Sequence, residues 1–106
     1  MAEEKNFNQK VWDALKLVPR GKVTTYKELA RYLKNPKAAR AVGNACGKNP
    51  FAPKTPCHRA VKSDGSLGGY SGGGGLKKKI KLLKEEGLKI DRGKINDFKD
   101  KIYRFK

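Results

Sequence analysis

Apolar residues recur at helical spacing near the start of the chain. One face of the predicted helix carries Phe7, Val11, Ala14, Leu15 and Val18. Intervals of three and four residues predict an amphipathic helix over residues 7–18. Pro19 and Gly21 follow it and are expected to end it.

Two further helices are predicted close behind the first. Thr25 and Glu28 have the spacing of a capping box, so a second helix is expected from Thr25 to about Leu33, after a short extended piece at Val23 and Thr24. Asn35-Pro36 reads as a turn, and an alanine-rich third helix is expected over 37–46, closed by Gly47. Two short helices joined by a tight turn favour a helix-turn-helix, although such pairs also occur as plain packing units.

The second half of the chain alternates turn signals with one more amphipathic pattern. Asp64-Gly65 is typical of a hairpin turn. Six glycines fall within residues 68–75, where the backbone can approach a ligand closely or form a linker. Leu76, Ile80 and Leu83 predict a last clear helix, stopped by Gly87. Residues 88–106 fit either a terminal helix or a frayed basic tail.

Composition narrows the class of protein. A chain of 106 residues fits one small domain, without repeats or an internal boundary. Its net charge of +16 points to a polyanion, most simply nucleic acid, although a lysine-rich surface or an anionic membrane would also explain it. Since no long apolar run or signal peptide is present, we expect a soluble, intracellular protein that does not bind membranes.

Candidate chemistry lies in the run Thr55-Pro56-Cys57-His58-Arg59. It places one of two cysteines beside the single histidine, and a neighbouring base raises the thiolate fraction that makes cysteine a nucleophile. The plainer interpretation is a buried cysteine beside a turn-capping histidine. We expect no metal, because the soft ligands are too few, and no Cys46–Cys57 disulfide in a reducing cytosol.

Several motifs in a fixed order decide between these interpretations. They are Gly21-Lys22-Val23-Thr24-Thr25-Tyr26, Arg40-Ala41-Val42-Gly43-Asn44-Ala45, Asn49-Pro50, Pro56-Cys57-His58-Arg59, Gly68-Gly69-Tyr70-Ser71-Gly72-Gly73 and Glu85-Glu86-Gly87. Over about 7–87 the chain resembles the C-terminal, active domain of the O6-alkylguanine-DNA alkyltransferases. The resemblance implies a small α/β-type, mostly helical domain with a winged-helix-like helix-turn-helix and a short hairpin, spanning 1–106.

The same resemblance implies a reaction and its residues. Cys57 would take the alkyl group from guanine O6 irreversibly, so that each molecule repairs one lesion. His58 would act as its base through a water, oriented by Glu86, for which Glu85 is a rival. Tyr26 would donate to the base ring, although a tyrosine at a helix start is more commonly just half-buried. No cofactor is implied.

Recognition of the lesion is implied by the resemblance as well. Tyr70 would wall the base pocket, Ser71 would face O6, and the carbonyls of Cys57 and Ala60 would accept from the exocyclic amine of guanine. The glycine loop is two residues longer than the family pattern, and Lys54 and Thr55 replace a more apolar run. These departures bear on the placement of Ser71 and Glu86 and on the tolerance for bulky alkyl groups.

The implied partner is double-stranded DNA carrying O6-alkylguanine, or possibly O4-alkylthymine, with the third helix in the minor groove. Its slim face would consist of Ala38, Ala39, Ala41, Gly43 and Ala45. Arg40 would fill the gap left by the flipped base rather than simply contact phosphate, and Asn49 would tie this helix to the active-site loop. We expect a monomer in the cytoplasm, associated with DNA in a nucleoid or nucleus.

Two other functions remain open from the sequence. Alkyltransferase-like proteins bind lesions without repairing them, and they replace the acceptor cysteine, typically by tryptophan; Cys57 argues against that class. A basic helix-turn-helix regulator or chromatin protein would need neither the Cys57-His58 pair nor the glycine loop.

Overall fold

The computed structural model of the chain describes residues 6–48, 55–67 and 75–105. Within these ranges the chain is mostly helical, with short strands between the helices. The elements in chain order are α1 (Phe7–Leu15), β1 (Thr24–Thr25), α2 (Tyr26–Tyr32), α3 (Ala39–Gly47), a 3-10 helix (Cys57–Arg59), β2 (Ala60–Val61), α4 (Gly75–Glu85), β3 (Ile90–Asp91), β4 (Lys94–Ile95) and α5 (Phe98–Lys101). This is the small, mostly helical α/β-type domain that was predicted.

The first helix begins at a capping box. The Asn6 side chain accepts from the Gln9 backbone N–H at 2.9 Å, and the Gln9 side chain accepts from the Asn6 N–H. The helix ends at Leu15, three residues before the predicted end, because Lys16 to Val18 turn away. Val18 is nevertheless buried, so the apolar pattern correctly predicted that this residue faces the core.

The predicted helix-turn-helix is formed by α2 and α3. Thr25 caps α2 by accepting from the Glu28 N–H at 2.9 Å. The second half of the predicted capping box is absent from the described contacts, because the Glu28 carboxylate instead binds Arg31 and the Phe105 N–H. The chain reverses at Lys34, whose φ of 63° is left-handed, and α3 then runs to Gly47, one residue beyond its predicted end.

A parallel pair of strands brings distant parts of the chain together. β1 pairs with β2, with Thr24 opposite Ala60 and Thr25 opposite Val61. Because α2 starts directly after β1 and the 3-10 helix ends directly before β2, this pairing sets Tyr26 near the Cys57 segment. Asp64-Gly65 does turn the chain, but the antiparallel hairpin lies elsewhere, between β3 and β4.

The buried face of α4 differs from the prediction. Leu76 is 47% exposed, whereas the Lys79 side chain is completely buried with Leu83. The helix stops where predicted: Gly87 has a φ of 90°, and the Leu88 N–H donates to the Leu83 carbonyl at 3.1 Å.

Residues 88–105 form neither one terminal helix nor a frayed tail. The β3–β4 hairpin and the four-residue α5 lead into a last segment that packs on the domain. The Val23 N–H donates to the Lys101 carbonyl at 2.9 Å, and the Tyr103 N–H donates to the Val23 carbonyl. Phe105 is buried, and its ring stacks on Tyr32 with centroids 4.4 Å apart.

Two apolar clusters lie on either side of the β1–β2 pair. The larger one joins α1, α2 and α3 to Cys57, Ala60 and Phe105. The smaller one contains Val23, Val61, Leu67, Leu83, Leu88 and Ile95. Among the described residues, no helix has the length and apolarity needed to cross a membrane.

Candidate active site

Cys57 is the first residue of the 3-10 helix and is 4% exposed. The turn is held by two backbone bonds, from the Cys57 N–H to the Thr55 carbonyl at 2.8 Å and from the Arg59 N–H to the Pro56 carbonyl at 2.9 Å. Cys57 packs in the larger cluster, so an alkyl group on its sulfur would enter an apolar environment. Both cysteines are free thiols.

His58 is fixed by a carboxylate from the end of α4. Its Nε2 lies 2.9 Å from Oε2 of Glu86, and both side chains are almost fully buried. Arg59 donates to the same carboxylate twice, from Nε to Oε1 at 2.9 Å and from Nη2 to Oε2 at 2.7 Å, and its Nη1 donates to the Val18 carbonyl. Of the two adjacent glutamates, Glu86 is therefore the one that contacts His58.

The electrostatics of this group define the tautomer of His58. Burial raises the pKa of Glu86, but hydrogen bonds from Arg59 and His58 outweigh burial and keep that pKa below its usual value. Burial lowers the pKa of His58 more than Glu86 raises it, so the ring is neutral at pH 7. Because an ionised carboxylate only accepts, we assign the ring proton to Nε2.

The other ring nitrogen of His58 is then a buried acceptor. Within residues 6–48, 55–67 and 75–105, Nδ1 has no hydrogen-bond partner. Such an unsatisfied polar atom is uncommon in native proteins and often marks a position where a water or a reacting group binds. Nδ1 belongs to the residue that follows Cys57 in the sequence, and as an acceptor it can bind a water.

Tyr26 lies with two thiols and a buried amine. Burial raises the pKa of its phenol, and negative charge on Cys46 or Cys57 raises it further, so Tyr26 keeps its proton and is a donor. Lys79 Nζ lies 5.9 Å from the centroid of the Tyr26 ring. Burial raises the pKa of Cys46 to about 12, so this second thiol is protonated and unreactive at neutral pH.

The two carbonyls assigned to base recognition already accept bonds inside the protein. The Cys57 carbonyl accepts from the Ala60 N–H, and the Ala60 carbonyl accepts from Lys79 Nζ at 2.7 Å. A carbonyl oxygen has two lone pairs and can accept more than one hydrogen bond. The exocyclic amine of a guanine would therefore share the Ala60 oxygen with Lys79.

The third helix presents a small-residue surface beside Arg40. Arg40 and Ala41 are exposed, and Ala38, Ala39 and Gly43 are partly exposed. Ala45 was expected on this slim face but is fully buried, where its carbonyl accepts from Trp12 Nε1 at 2.8 Å. A Cβ at Gly43 would meet nothing within 4 Å, so packing within the described residues does not require glycine there.

The structure brings together Cys57, His58, Glu86, Tyr26 and Ala60, while Arg40 lies on the exposed side of α3. Three predicted residues, Asn49, Tyr70 and Ser71, lie outside the described residues.

Sequence reasoning assigned no role to Arg59 or Lys79. Arg59 was part of the quoted motif. Lys79 lies four residues before Leu83 and seven before Glu86, a spacing that places all three on one helical face.

Comparisons with known proteins identify the family of the chain. The model of the family described as 6-O-methylguanine DNA methyltransferase, DNA binding domain, matches residues 6–88. A methylated-DNA–protein-cysteine methyltransferase of Methanosarcina acetivorans is 48% identical over 85 residues, which cover 80% of this chain and 53% of that protein. The chain spans between 23% and 53% of the length of the curated relatives it matches.

Two solved structures share the fold. Mycobacterium tuberculosis OGT, crystallised in complex with DNA, has a TM-score of 0.73 and 45% identity, covering 79% of this chain and 51% of that one. Schizosaccharomyces pombe Atl1, in complex with damaged DNA containing O6-carboxymethylguanine, has a TM-score of 0.83 and 30% identity, covering 98% and 100% of the two chains. The chain belongs to the 6-O-methylguanine DNA methyltransferase family.

Proposed function

We propose that this protein repairs DNA by transferring an alkyl group from O6 of a damaged guanine to Sγ of Cys57. The observation that carries the proposal is the state of His58. Its Nε2 is held by Glu86, while its buried Nδ1, one residue from the thiol, is an acceptor for which the described residues supply no donor. The candidate nucleophile thus directly precedes its candidate base in the sequence, and the base is oriented by a buried carboxylate, as in other covalent catalysts.

The reaction is a displacement at carbon. The thiol proton moves through a water to Nδ1 of His58, and the sulfur forms a bond to the alkyl carbon as the C–O6 bond breaks. The electron pair of that bond remains on guanine, which takes a proton from solvent, while His58 afterwards releases the thiol proton to solvent. A thiol and an alkylated base thus become a thioether and a normal guanine. Tyr26 keeps its own proton and supplies a hydrogen bond to the departing base.

The partner is DNA. A net charge of +16 favours a polyanion, and relatives of the same fold are crystallised with DNA. The reactive carbon is inside a duplex, so the guanine must be flipped out to reach the buried sulfur of Cys57. We assign the small-residue surface of α3 to the minor groove and Arg40 to the gap that the flipped base leaves in the stack. We further propose that the protein is a monomer and that it acts in the cytoplasm, where it associates with DNA.

A second candidate function is recognition of the lesion without transfer. The similarity to Atl1 favours it, because that similarity spans nearly the whole of both chains. The two functions share the DNA-binding surface and differ at the sulfur of Cys57.

Intact mass separates the two candidates. The protein is mixed with a duplex oligonucleotide containing one O6-methylguanine, and peptide mapping then locates any added methyl group. We expect one methyl per molecule, on Cys57, and none in the matched Cys57→Ser variant. An unmodified protein that still shifts the oligonucleotide in a binding assay would support the lesion-binding function and overturn transfer.

A further inference from the structure

The C-terminal segment, residues 89–105, lies beyond the part of the chain that the family model matches, and it forms one wall of a cavity. The cavity has a volume of about 480 Å³ and lies between this segment, α2 and the turn that follows β2. Its charged lining residues are Lys27, Glu28, Arg31 and Arg104. The cavity therefore joins the helix-turn-helix to a part of the chain outside the family match.

Arg104 reaches the cavity from a backbone that is hydrogen-bonded on both sides of this residue. The Tyr103 N–H donates to the Val23 carbonyl, and the Phe105 N–H donates to Oε2 of Glu28 at 3.0 Å. These two bonds fix the backbone position of Arg104, while its side chain is 69% exposed. A guanidinium group is thus held at a defined place with its end in solvent.

Positive charge in the cavity exceeds negative charge. Among the described lining residues, Glu28 is the single carboxylate, and Arg31 donates to both of its oxygens. Arg31 also donates to the Phe105 carbonyl at 2.9 Å, so its guanidinium is already used inside the protein. Nη1 of Arg104 lies 3.9 Å from Oε1 of Glu28, which is too far for a hydrogen bond. Arg104 therefore remains a donor for an external anion.

Lys27 supplies a second cation to the cavity. Its side chain is exposed, and within the described residues it makes no hydrogen bond or ion pair. Ser63 adds an exposed hydroxyl, and Phe98 and Ile102 add apolar surface. Lysine, arginine and serine side chains are the groups that bind the phosphates and sugars of DNA. The lining therefore fits a sugar-phosphate unit, which carries one negative charge beside a weakly polar ring.

The position of the cavity in the fold favours DNA over an acidic peptide. Pro36, in the turn between α2 and α3, also lines the cavity. In helix-turn-helix proteins the first helix of the pair crosses the DNA backbone, and here that helix is α2, which carries Lys27. The cavity thus adjoins the start of α3, the helix that is proposed to bind DNA. An acidic peptide would match the charge, but its binding would not depend on a place beside α3.

Resting on the proposed binding of DNA through α3, we propose that this cavity holds a backbone phosphate of the same duplex. The Arg104 guanidinium pairs with the phosphate oxygens, Lys27 adds a second charge-assisted hydrogen bond, and Ser63 donates its hydroxyl. The C-terminal segment is then part of the DNA interface. Because phosphate contacts fix the register of a protein on a duplex, this contact also sets where Arg40 meets the base stack.

The test measures duplex binding against salt in a Cys57→Ser background, so that no alkyl transfer changes the protein. Affinity for a duplex with one O6-methylguanine is determined by fluorescence anisotropy at several salt concentrations for the parent, Arg104→Gln and Arg104→Lys. Lys81→Gln removes an exposed lysine of α4 that does not line the cavity, and it is the matched control. The melting temperature of each variant checks that it is folded.

We expect Arg104→Gln to reduce the slope of log affinity against log salt by up to about 0.9, the value for one neutralised phosphate. Its loss of affinity should then grow by up to about eightfold for each tenfold fall in salt. Arg104→Lys should restore most of the slope because it keeps the charge, and Lys81→Gln should follow the parent. An Arg104→Gln variant that matches Lys81→Gln in both affinity and slope would overturn the proposal.

A second measurement locates the phosphate from the DNA side. Linkages around the lesion are replaced one at a time by an uncharged methylphosphonate, and binding is compared for the parent, Arg104→Gln and Lys27→Gln. One linkage should weaken binding of the parent but not of the two variants, because each variant has already lost that interaction. Either variant is sufficient if the other folds poorly. If every linkage has the same effect in the parent and the variants, the cavity does not hold a backbone phosphate.

Other anions are distinguished by direct titration. Inorganic phosphate and an oligoglutamate peptide are added to the parent without DNA, and the NMR signal of the Arg104 side chain is followed. Weak binding of both is expected, because the proposed ligand is a phosphate held in place by the rest of the duplex. Tight binding of either, with a DNA affinity that Arg104→Gln leaves unchanged, would assign the cavity to that anion and overturn the proposal.

The outcomes keep the two proposals distinguishable. If the protein binds the duplex but takes no methyl group from it, the proposed transfer fails, while the salt dependence still reports on Arg104. If the protein repairs DNA and Arg104→Gln binds with the slope of Lys81→Gln, the inference on the cavity fails alone.

Discussion

Oε2 of Glu86 lies 2.9 Å from Nε2 of His58 and 2.7 Å from Nη2 of Arg59. One carboxylate thus holds two consecutive residues of the motif that contains Cys57. Because Arg59 balances the charge of Glu86, the carboxylate can orient His58 without drawing a proton onto it. Burial is the main reason that the pKa of His58 is lowered, and the Arg59 charge lowers it further, so the histidine stays neutral beside an acid.

Replacing the carboxylate of Glu86 should show whether its hydrogen bond to His58 is needed for alkyl transfer. Glu86→Gln keeps the size of the side chain but weakens its hold on His58 and leaves the Arg59 charge unbalanced. We expect single-turnover transfer to fall by at least about tenfold, in line with the loss seen when orienting partners are removed at other sites. Glu85→Gln, at the exposed neighbouring position, is the control and should leave the rate unchanged. Equal rates for both variants would remove Glu86 from the mechanism.

Acid should destabilise the protein through His58. The folded-state pKa of His58 lies below the ordinary histidine value of 6.5, so below pH 6.5 the unfolded chain binds a proton that the folded chain does not. The free energy of unfolding should therefore fall as pH drops through and below 6.5. Glu86, whose pKa is also lowered, should add a further loss as pH falls below 4.5.

Urea denaturation at a series of pH values measures this effect. His58 is the single histidine of the chain, so no other histidine changes the free energy of unfolding in this pH range. His58→Gln should show a flatter profile between pH 6.5 and 5, with the loss below 4.5 retained. A variant with the same slope as wild type near pH 6 would assign the effect to another group.

Gly43→Ala should move stability and DNA binding in opposite directions. The added methyl group meets no described atom within 4 Å, and alanine in a helix interior is favoured over glycine by up to about 1 kcal/mol. We expect a melting temperature higher by about 4–8 °C at most, since that is the shift about 1 kcal/mol gives in a domain of this size. Affinity for duplex DNA should weaken if the helix enters a groove closely. Unchanged affinity would place the DNA on another face of α3.

Arg40→Ala should slow repair of a matched duplex more than repair of a single strand. Opening a duplex to expose the base takes a few kcal/mol, and a single strand needs less. Arg40→Lys should restore little, because an ammonium group does not reproduce the planar, stacking guanidinium. Single-turnover repair of both substrates by each variant is the measurement. Equal slowing on both substrates, with rescue by lysine, would make Arg40 a phosphate contact.

The sequence determined the elements that depend on local chemistry. Thr25 begins α2 because its hydroxyl accepts from the N–H three residues on, and Gly87 ends α4 because it can adopt a positive φ. The order of motifs, together with the net charge, was also sufficient to predict the family and the DNA partner. The capping residues and the motifs can be read from the sequence because each depends on neighbouring residues, and the net charge can be read because it is a sum over the whole chain.

Tertiary structure decided what depends on long-range packing. Leu76 is exposed and Lys79 is buried because the carbonyls of Ala60 and Leu67 converge on one face of α4, which no local pattern records. The choice of Glu86 over Glu85 depends on how the end of α4 meets the 3-10 helix, since adjacent helical positions point about 100° apart. The same holds for the last residues, where Phe105 packs on Tyr32: one aromatic ring becomes a core residue only when a distant surface exists to cover it.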